Sequence, residues 1–503
     1  MSDILEIANR HLESRQRRIR IYKDIYQAYI DPSPHNKLYT ILESIVSLIY
    51  SPTNVVFDIV PQGEVNEEVF ILLEDQIRTL REEIQEDFYS LGLDVFFYDL
   101  LIYGELFGTV MDYVSFRNGE VSHELLFPWE FSFLYEDGLP LNHPSQSICR
   151  FYYFPKEYMK EIYDKELSTQ TKESFIEPFV KLVKERYVTE KFDYLEDKLW
   201  ERGLLPFVRP EEYVLAQEIW KRENNAWKVY VVANQQVLYE AQNPVFPEED
   251  LLPFVQYVSN PIINSNYGRS TVHYLLGMQE EVNKLSQELE KAINVYLYPP
   301  VLLRGPLADE VAEEISEKLK QPATVIPMQS LQAEFQFYQP QISPADIFQL
   351  IEAYKTTMRE QLSFTDITTG RPARNVRSAS YAQILASFAS APLKKKALVF
   401  ESFIESCMTL HAILLTQVRK KYLGLREAML KNNLQFRCDV WAHSTSPMAI
   451  EEYLRAVELL INLGVLAPDV ILDILPVPLK NTIKRRLVER TIEEKSKESK
   501  KET

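Results

Sequence analysis

The sequence predicts an α+β fold, with helices and strands grouped in separate blocks. Three observations carry this. Two turn-punctuated stretches, 109–127 and 213–240, read as antiparallel β structure. Long segments with apolar residues every three or four positions surround them and read as helices. Over 503 residues, 46% are hydrophobic and 12% aromatic, enough to bury a large packed body. At roughly 150 residues per domain, a chain of this length suggests about three domains.

From the start of the chain, Ile4, Ile7, Ala8 and Leu12 share a face that continues through Ile21, Tyr22, Ile25, Tyr26 and Tyr29. Asp31-Pro32-Ser33-Pro34 breaks this helix. A second helix carries Leu38, Ile41, Ile45 and Ile49, ends at Ser51-Pro52-Thr53, and leads to a strand over 55–60. An acidic helix over 66–89 and an apolar one over 93–106 follow. Strands at 109–116 and 120–127 flank Asn118-Gly119, which suits a type I′ turn because both central positions need positive φ. Residues 155–205 are charged and helical in pattern. The second β region, 213–240, is divided by Asn224-Asn225 and Asn234-Gln235.

After Pro261 the texture changes. The pattern over 270–296 predicts a helix of ~40 Å. Its seam, Leu275, Met278, Val282, Leu285, Leu289, Ala292 and Tyr296, has the narrow heptad spacing of a helix packed on another long helix. Pro299-Pro300 stops it. A compact insert follows, with a strand at 301–303, a Gly305-Pro306 turn, a helix near 309–320 and a strand at 323–326. A second helix starts at Pro344, a residue favoured in the first turn, and carries Ile347, Ile351, Tyr354 and Met358. Next come a Gly-, Thr- and Arg-rich loop over 366–378 and a helical pattern over 379–422, ~66 Å if continuous. Pro392 lies inside that pattern and is expected to kink it. A strand at 435–441 and a helical section from Met448 complete the chain. Residues 493–503 are polar and charged, and expected to be disordered.

The formal charge is −18, from 55 Lys and Arg against 73 Asp and Glu. That balance argues against tight, static grasp of nucleic acid, whose phosphates demand cations. It leaves room for a protein that lets DNA slide past. Cys149, Cys407 and Cys438 are odd in number and far apart, which suggests buried thiols in a reducing compartment. The opening MSDILEIANRHLESRQRR has early acids and no signal-type apolar core, and no run of 18 apolar residues occurs. The expectation is a cytoplasmic protein that does not enter a membrane.

Five stretches, in this order, resemble the portal (head–tail connector) proteins of tailed double-stranded DNA bacteriophages. They are NKLYTILESIVSLIYSPTNVVFDIVP (36–61), YGELFGTVMDYVSFRNGEVSHELLFPWEFSFLYED (103–137), VLAQEIWKRENNAWKVYVVANQQVLYEAQNPVF (214–246), FVQYVSNPIINSNYGRSTVHYLLGMQEEVNKL (254–285) and SPMAIEEYLRAVELLINLGVLAPDVILDILP (446–476). The resemblance covers nearly the whole chain. It implies a portal fold assembled as a ring, usually of twelve subunits, at one capsid vertex. Residues 1–262 would form an α/β wing, 263–298 a first stem helix, 299–343 a small α/β clip and 344–365 a second stem helix. Residues 366–378 would be the tunnel loop, 379–445 a long wing helix with a returning strand, and 446–503 a helical crown with the charged tail. The implied partners are further copies of the chain, the terminase large subunit, a head–tail adaptor, major capsid and scaffolding proteins, and DNA passing without sequence specificity. No cofactor is implied, and the localisation would be the virion, after assembly in the host cytoplasm.

On this resemblance, Thr368, Thr369, Gly370, Arg371, Arg374, Asn375 and Arg377 would line the narrowest part of a channel and touch passing phosphates. The alternative is a solvated basic loop. Leu275, Val282, Leu285 and Leu289 would be the stem packing seam, and Arg304 and Asp309 would serve docking at the clip. Glu280, Glu281, Glu288 and Glu290 are candidates for acids that repel DNA over about one Debye length, ~8 Å. An ordinary outer helix face is the competing reading. Arg15-Gln16-Arg17-Arg18-Ile19-Arg20 beside a tyrosine stripe suggests nucleic-acid contact or, more plainly, the polar face of a packed helix. Gly268-Arg269-Ser270-Thr271 lacks the earlier glycine and the lysine of a phosphate-binding loop.

The seven histidines form no His-x-x-x-His pair, and no nucleophile elbow or two-metal carboxylate spacing is present. The chain is therefore expected not to be an enzyme. The competing classes are another virion assembly protein, such as a scaffold or adaptor, and a metal-dependent nuclease whose acids converge only in the fold.

Overall fold

The computed structural model of the chain describes residues 2–30, 36–52, 55–62, 67–155, 213–297, 301–304, 334–337, 343–361, 379–432, 435–440 and 458, apart from single positions 118, 142, 225 and 248. They form a mixed α+β structure in two compact units. The first comprises Met1–Gln27, Thr40–His273 and Ser390–Thr503; the second comprises Ala28–Tyr39 and Tyr274–Ala389.

Helix α1 (Ser2–Ile30) begins the first unit, and α2 (Leu38–Ile49) and strand β1 (Phe57–Gln62) follow. Helices α3 (Glu67–Ser90) and α4 (Leu93–Phe107) are separated by Leu91 and Gly92, where Gly92 takes φ 68°. Strands β2 (Thr109–Arg117), β3 (Glu120–Leu126) and β9 (Phe254–Val258) form a sheet in the order β3-β2-β9. Strands β4 (Phe131–Phe133), β5 (Ser147–Pro155), β6 (Tyr213–Glu223), β7 (Ala226–Ala233) and β8 (Gln236–Gln242) form an antiparallel meander in chain order.

The meander is buried on both faces, which explains its runs such as Val214-Leu215-Ala216. Ile148, Val214, Ala216, Trp220, Val229 and Val231 face Met111, Tyr113, Leu126 and Phe254 of the three-stranded sheet. On the other face, Cys149, Phe151, Leu215, Ile219, Tyr230 and Val232 receive Ile4, Ile7 and Ala8 of α1. The order is therefore helix, sheet, sheet. Asn234 and Gln235 both have positive φ, 47° and 61°, as a two-residue I′ hairpin requires. Gly119 at φ 92° fits the same expectation for the first hairpin, while Asn118 lies outside the described residues.

In the second unit, α5 (Leu276–Leu297) leads to strand β10 (Val301–Arg304), which pairs antiparallel with β11 (Glu334–Phe337); α6 (Pro344–Gln361) follows and packs on α5. Helix α7 (Ala379–Val418) contributes its first residues to this unit and the rest to the first unit. A 3-10 turn at Lys420–Tyr422, α8 (Leu423–Asn432) and β12 (Gln435–Val440) return the chain to β1, with Phe57 opposite Val440 and Gln62 opposite Gln435.

Several edges differ from the sequence expectation. The helix expected over 270–296 starts at Leu276, because Ser270 and Thr271 are buried in polar bonds and only a 3-10 turn, Val272–Tyr274, precedes it. The helix expected over 379–422 ends at Val418, where Arg419 turns extended, and α8 was not anticipated. Helix α7 continues as helix through Pro392. Strands β4, β5, β9 and β11 were not anticipated either. β4 and β11 are three and four residues long, too short for a period-two pattern to register. The helix expected at 155–205, apart from Pro155, which ends β5, the helix at 309–320, the strand at 323–326, the loop at 366–378 and the section from 446, apart from helical residue 458, lie outside the described residues. One stretch of α7, Pro392–Val418, is long and apolar enough by composition to cross a membrane, but 67% of the apolar 18-residue window within it is buried, as in a core helix.

Candidate functional site

The helix pair of the second unit carries the expected seam, displaced by one position at alternate turns. Leu275 and Val282 are buried as expected, although Leu275 lies just ahead of α5. Leu285 and Leu289 are only half-buried. The fully buried line instead continues through Gln279 and Ser286. These polar residues are tolerated because each is satisfied. Gln279 Oε1 accepts the Lys37 N–H at 3.0 Å and its Nε2 donates to Asn283 Oδ1 at 2.9 Å; Ser286 Oγ donates to the Val282 carbonyl at 2.7 Å. Opposite, α6 buries Ile351 and Met358.

Phe348 and Leu350 of α6 lie outside its buried line. They are 54% and 47% exposed, and at 100° per residue they flank the Ile351–Met358 line on opposite sides. Ile293 near the end of α5 is also exposed. The pair thus has apolar side chains on flanks that its own packing leaves to solvent. Of the four candidate acids, Glu281 is paired with Lys284 at 2.7 Å and Glu288 with Lys291 at 3.2 Å, while Glu280 and Glu290 are exposed.

Thr368, Thr369, Gly370, Arg371, Arg374, Asn375 and Arg377 lie outside the described residues, as does Asp309. Arg304 is the last residue of β10, with Glu334 as its cross-strand partner.

The first basic cluster serves packing in the first unit. Arg15 is buried, donates from Nε to the Trp129 carbonyl at 2.8 Å and lies 5.4 Å from the Phe151 ring centroid. Arg18 sits 3.6 Å over the Tyr267 ring and pairs with Glu136. Arg17 and Arg20 are exposed.

Gly268-Arg269-Ser270-Thr271 is likewise structural. Gly268 N–H donates to Thr109 Oγ1 at 2.6 Å, and Thr271 N–H to the Glu105 carbonyl at 3.0 Å. Glu105 is completely buried at the end of α4, and Lys396 of α7 closes on its carboxylate. Tyr257 OH donates to Glu105 Oε1 at 2.9 Å, the Thr271 hydroxyl donates to Oε2, and the Lys396 ammonium also reaches Ser259 and Thr271 at 3.1 and 2.9 Å. Burial pushes the Glu105 carboxyl upward, but Lys396 and the hydroxyls outweigh it and hold the group below its usual range.

His11 of α1 joins two strands of the meander, contacting Ser132 Oγ at 2.7 Å and Ser147 Oγ at 2.9 Å. Burial lowers its pKa to about 3, so it folds neutral. Its unfolded value is 6.5, and the chain therefore binds more protons when unfolded. Stability from this group is present above pH 6.5 and is lost as the pH falls below it. Between pH 7 and pH 5 the loss is about 2 kcal/mol. Urea midpoints of wild type and His11→Gln are expected to converge as the pH falls across that window; parallel curves would exclude this role.

Among the described residues no group of three or more His, Cys, Asp or Glu side chains is placed to hold a metal ion. The sequence reading missed Glu105–Lys396 and a second buried set, Asp112, His123, His411 and Asp87. The signal was a lone polar residue in an apolar run, as in LLIYGELF, TVMDYVSF and CMTLHAILL. Such a residue needs a buried partner, but the sequence does not name it. The chain matches no protein-family model and no curated protein.

Proposed function

We propose that the chain is a structural portal subunit: a non-enzymatic protein that forms a ring, of about a dozen copies, at one capsid vertex. The ring would pass the genome during packaging and ejection and dock the terminase motor, then a head–tail adaptor. One observation carries the reading. Within a mixed α+β chain, α5, α6 and the antiparallel strand pair β10–β11 between them belong, with Ala28–Tyr39 and the first residues of α7, to a separate compact unit whose helix pair leaves Phe348 and Leu350 exposed on opposite flanks. A head-to-tail ring needs two different apolar flanks per subunit, one for each neighbour. In this reading α5 and α6 are the stem, β10 and β11 belong to the clip, and the first unit supplies the wing. The acidic balance suits a channel that must not retain DNA; twelve copies would carry 12 × −18 = −216 charges.

Native mass spectrometry with negative-stain imaging tests it. Twelve chains of 58.9 kDa give 12 × 58.9, about 707 kDa, with a central channel. The double change Phe348→Glu and Leu350→Glu is expected to abolish the ring and leave the circular dichroism unchanged, since each side chain is about half exposed and stands off the buried Ile351–Met358 line. Rings that form normally with both charges in place would remove the stem assignment. A stable monomer or dimer that cleaves DNA with a metal ion would replace the whole reading with a nuclease.

A further inference from the structure

Asp112 on β2, His123 on β3, His411 on α7 and Asp87 on α3 form one continuous row of polar contacts in the first unit. Asp112 Oδ2 lies 2.7 Å from His123 Nδ1, His123 Nε2 lies 3.0 Å from His411 Nδ1, and His411 Nε2 lies 3.2 Å from Asp87 Oδ2. The two imidazole rings are nearly parallel, with centroids 5.3 Å apart. Phe96 and Phe97 of α4 pack edge-on against His123. Water is excluded from most of the row: the side chains of Asp112 and His411 are 0% exposed, that of His123 1%, and only Asp87, at 21%, reaches solvent.

Three contacts between four groups need three protons, because carboxylate oxygens and unprotonated ring nitrogens only accept. Two neutral imidazoles and two carboxylates carry two. With two, one contact sets lone pair against lone pair in a buried site, at the cost of an unmade hydrogen bond.

We propose that this row is a proton-binding site: it holds one proton beyond two neutral histidines and two ionised aspartates, and that proton locks α7 and α3 onto the β2–β3 hairpin. The proposal concerns the first unit alone and does not rest on the portal reading. The charge is shared along the coupled groups rather than fixed on one atom.

The surroundings bear on the site from each side. On α7, the Cys407 thiol is pushed well above its usual range, first by burial and then by Asp112, and so stays a neutral neighbour. On α3, Glu83 lies one turn before Asp87, but Lys421 at 2.6 Å and Arg419 at 3.5 Å balance it, and Tyr422 donates to it. Burial lowers the basicity of His411, against the pull of Asp87 and Asp112. Three contacts need three protons wherever along the row the third one sits.

The test follows from the count. Replacing either terminal aspartate by asparagine supplies an N–H donor at that end, so two neutral imidazoles then satisfy all three contacts. Full-length wild type, Asp87→Asn and Asp112→Asn would be unfolded in urea at pH 7, 8 and 9, followed by tryptophan fluorescence, to which Trp129, Trp220 and Trp227 of the first unit contribute. The ratio of unfolding constants, wild type over Asp87→Asn, is expected to rise about tenfold per pH unit, the signature of one extra bound proton. Asp75→Asn, on the exposed face of α3, should track wild type. Asp112→Asn provides the same comparison from the buried end should Asp87→Asn fold poorly. A ratio independent of pH for the variant that folds would overturn the proposal.

Discussion

Replacing Lys396 by methionine is expected to destabilise the first unit by about 3–5 kcal/mol, the usual cost of removing one partner of a buried ion pair. Methionine keeps most of the side-chain volume, so the loss isolates the charge. Glu105 would remain fully buried, with Tyr257 and Thr271 still donating to it but no cation beside it. The pH dependence should reverse. In the wild type, Glu105 titrates below its usual range, so its contribution is present above about pH 4.5 and lost as the pH falls through the folded value. Without Lys396, burial dominates and the carboxyl titrates above its unfolded value, so acidification should stabilise the variant. Adding Glu105→Gln to Lys396→Met should restore much of the loss, since an amide is far cheaper to bury than a carboxylate. Urea unfolding of the two single variants and the double variant checks this, and additive losses would show that the two groups do not act as a pair.

Gly108→Ala is expected to have a comparable or larger effect, probed by soluble yield and thermal unfolding. Gly108 ends α4 at φ 84°, a conformation that costs an L-residue roughly 1 kcal/mol or more. An added Cβ would also lie 2.5 Å from the carbonyl carbon of Arg269 and 2.6 Å from the nitrogen of Ser270. Both are backbone atoms, so no side-chain rotation relieves the overlap. The strap 268–271 would have to move, and with it Thr271, which donates to Glu105. Gly119→Ala is the matched control: φ is also positive, at 92°, but nothing lies within 4 Å of the added carbon. Equal effects from the two changes would show that only backbone strain matters at Gly108.

These two sites also mark how far the sequence could be read. Elements with a long period were legible. Helices α1 to α4 and α6 lie within one or two residues of where their apolar spacing puts them, and the meander turns at Asn234-Gln235 follow from turn chemistry. Boundaries set by tertiary bonds were not legible. Ser270 and Thr271 fit a helical pattern, yet Thr271 is held by Glu105, more than 160 residues earlier, and α5 starts after it. Apolar spacing alone does not mark Gln279, which is better buried than Leu285 and satisfied there by the Lys37 N–H. Histidine spacing along the chain is uninformative for the same reason: His123 and His411 meet from β3 and α7, 288 positions apart in the sequence.

The pairing of β1 with β12 has a consequence for how the chain is made. Among the described residues Phe57–Gln62 has its register partner only in Gln435–Val440, so an early-synthesised strand waits for that partner while the ~370 residues between are produced. At ribosomal rates of roughly 5–20 residues per second that wait is on the order of 20–70 s. Val60, still 40% exposed after pairing, stands on that strand. The first unit is thus sewn shut by nearly the last described segment to leave the ribosome, and truncation before residue 435 should leave a nascent chain with an open seam for chaperones to guard.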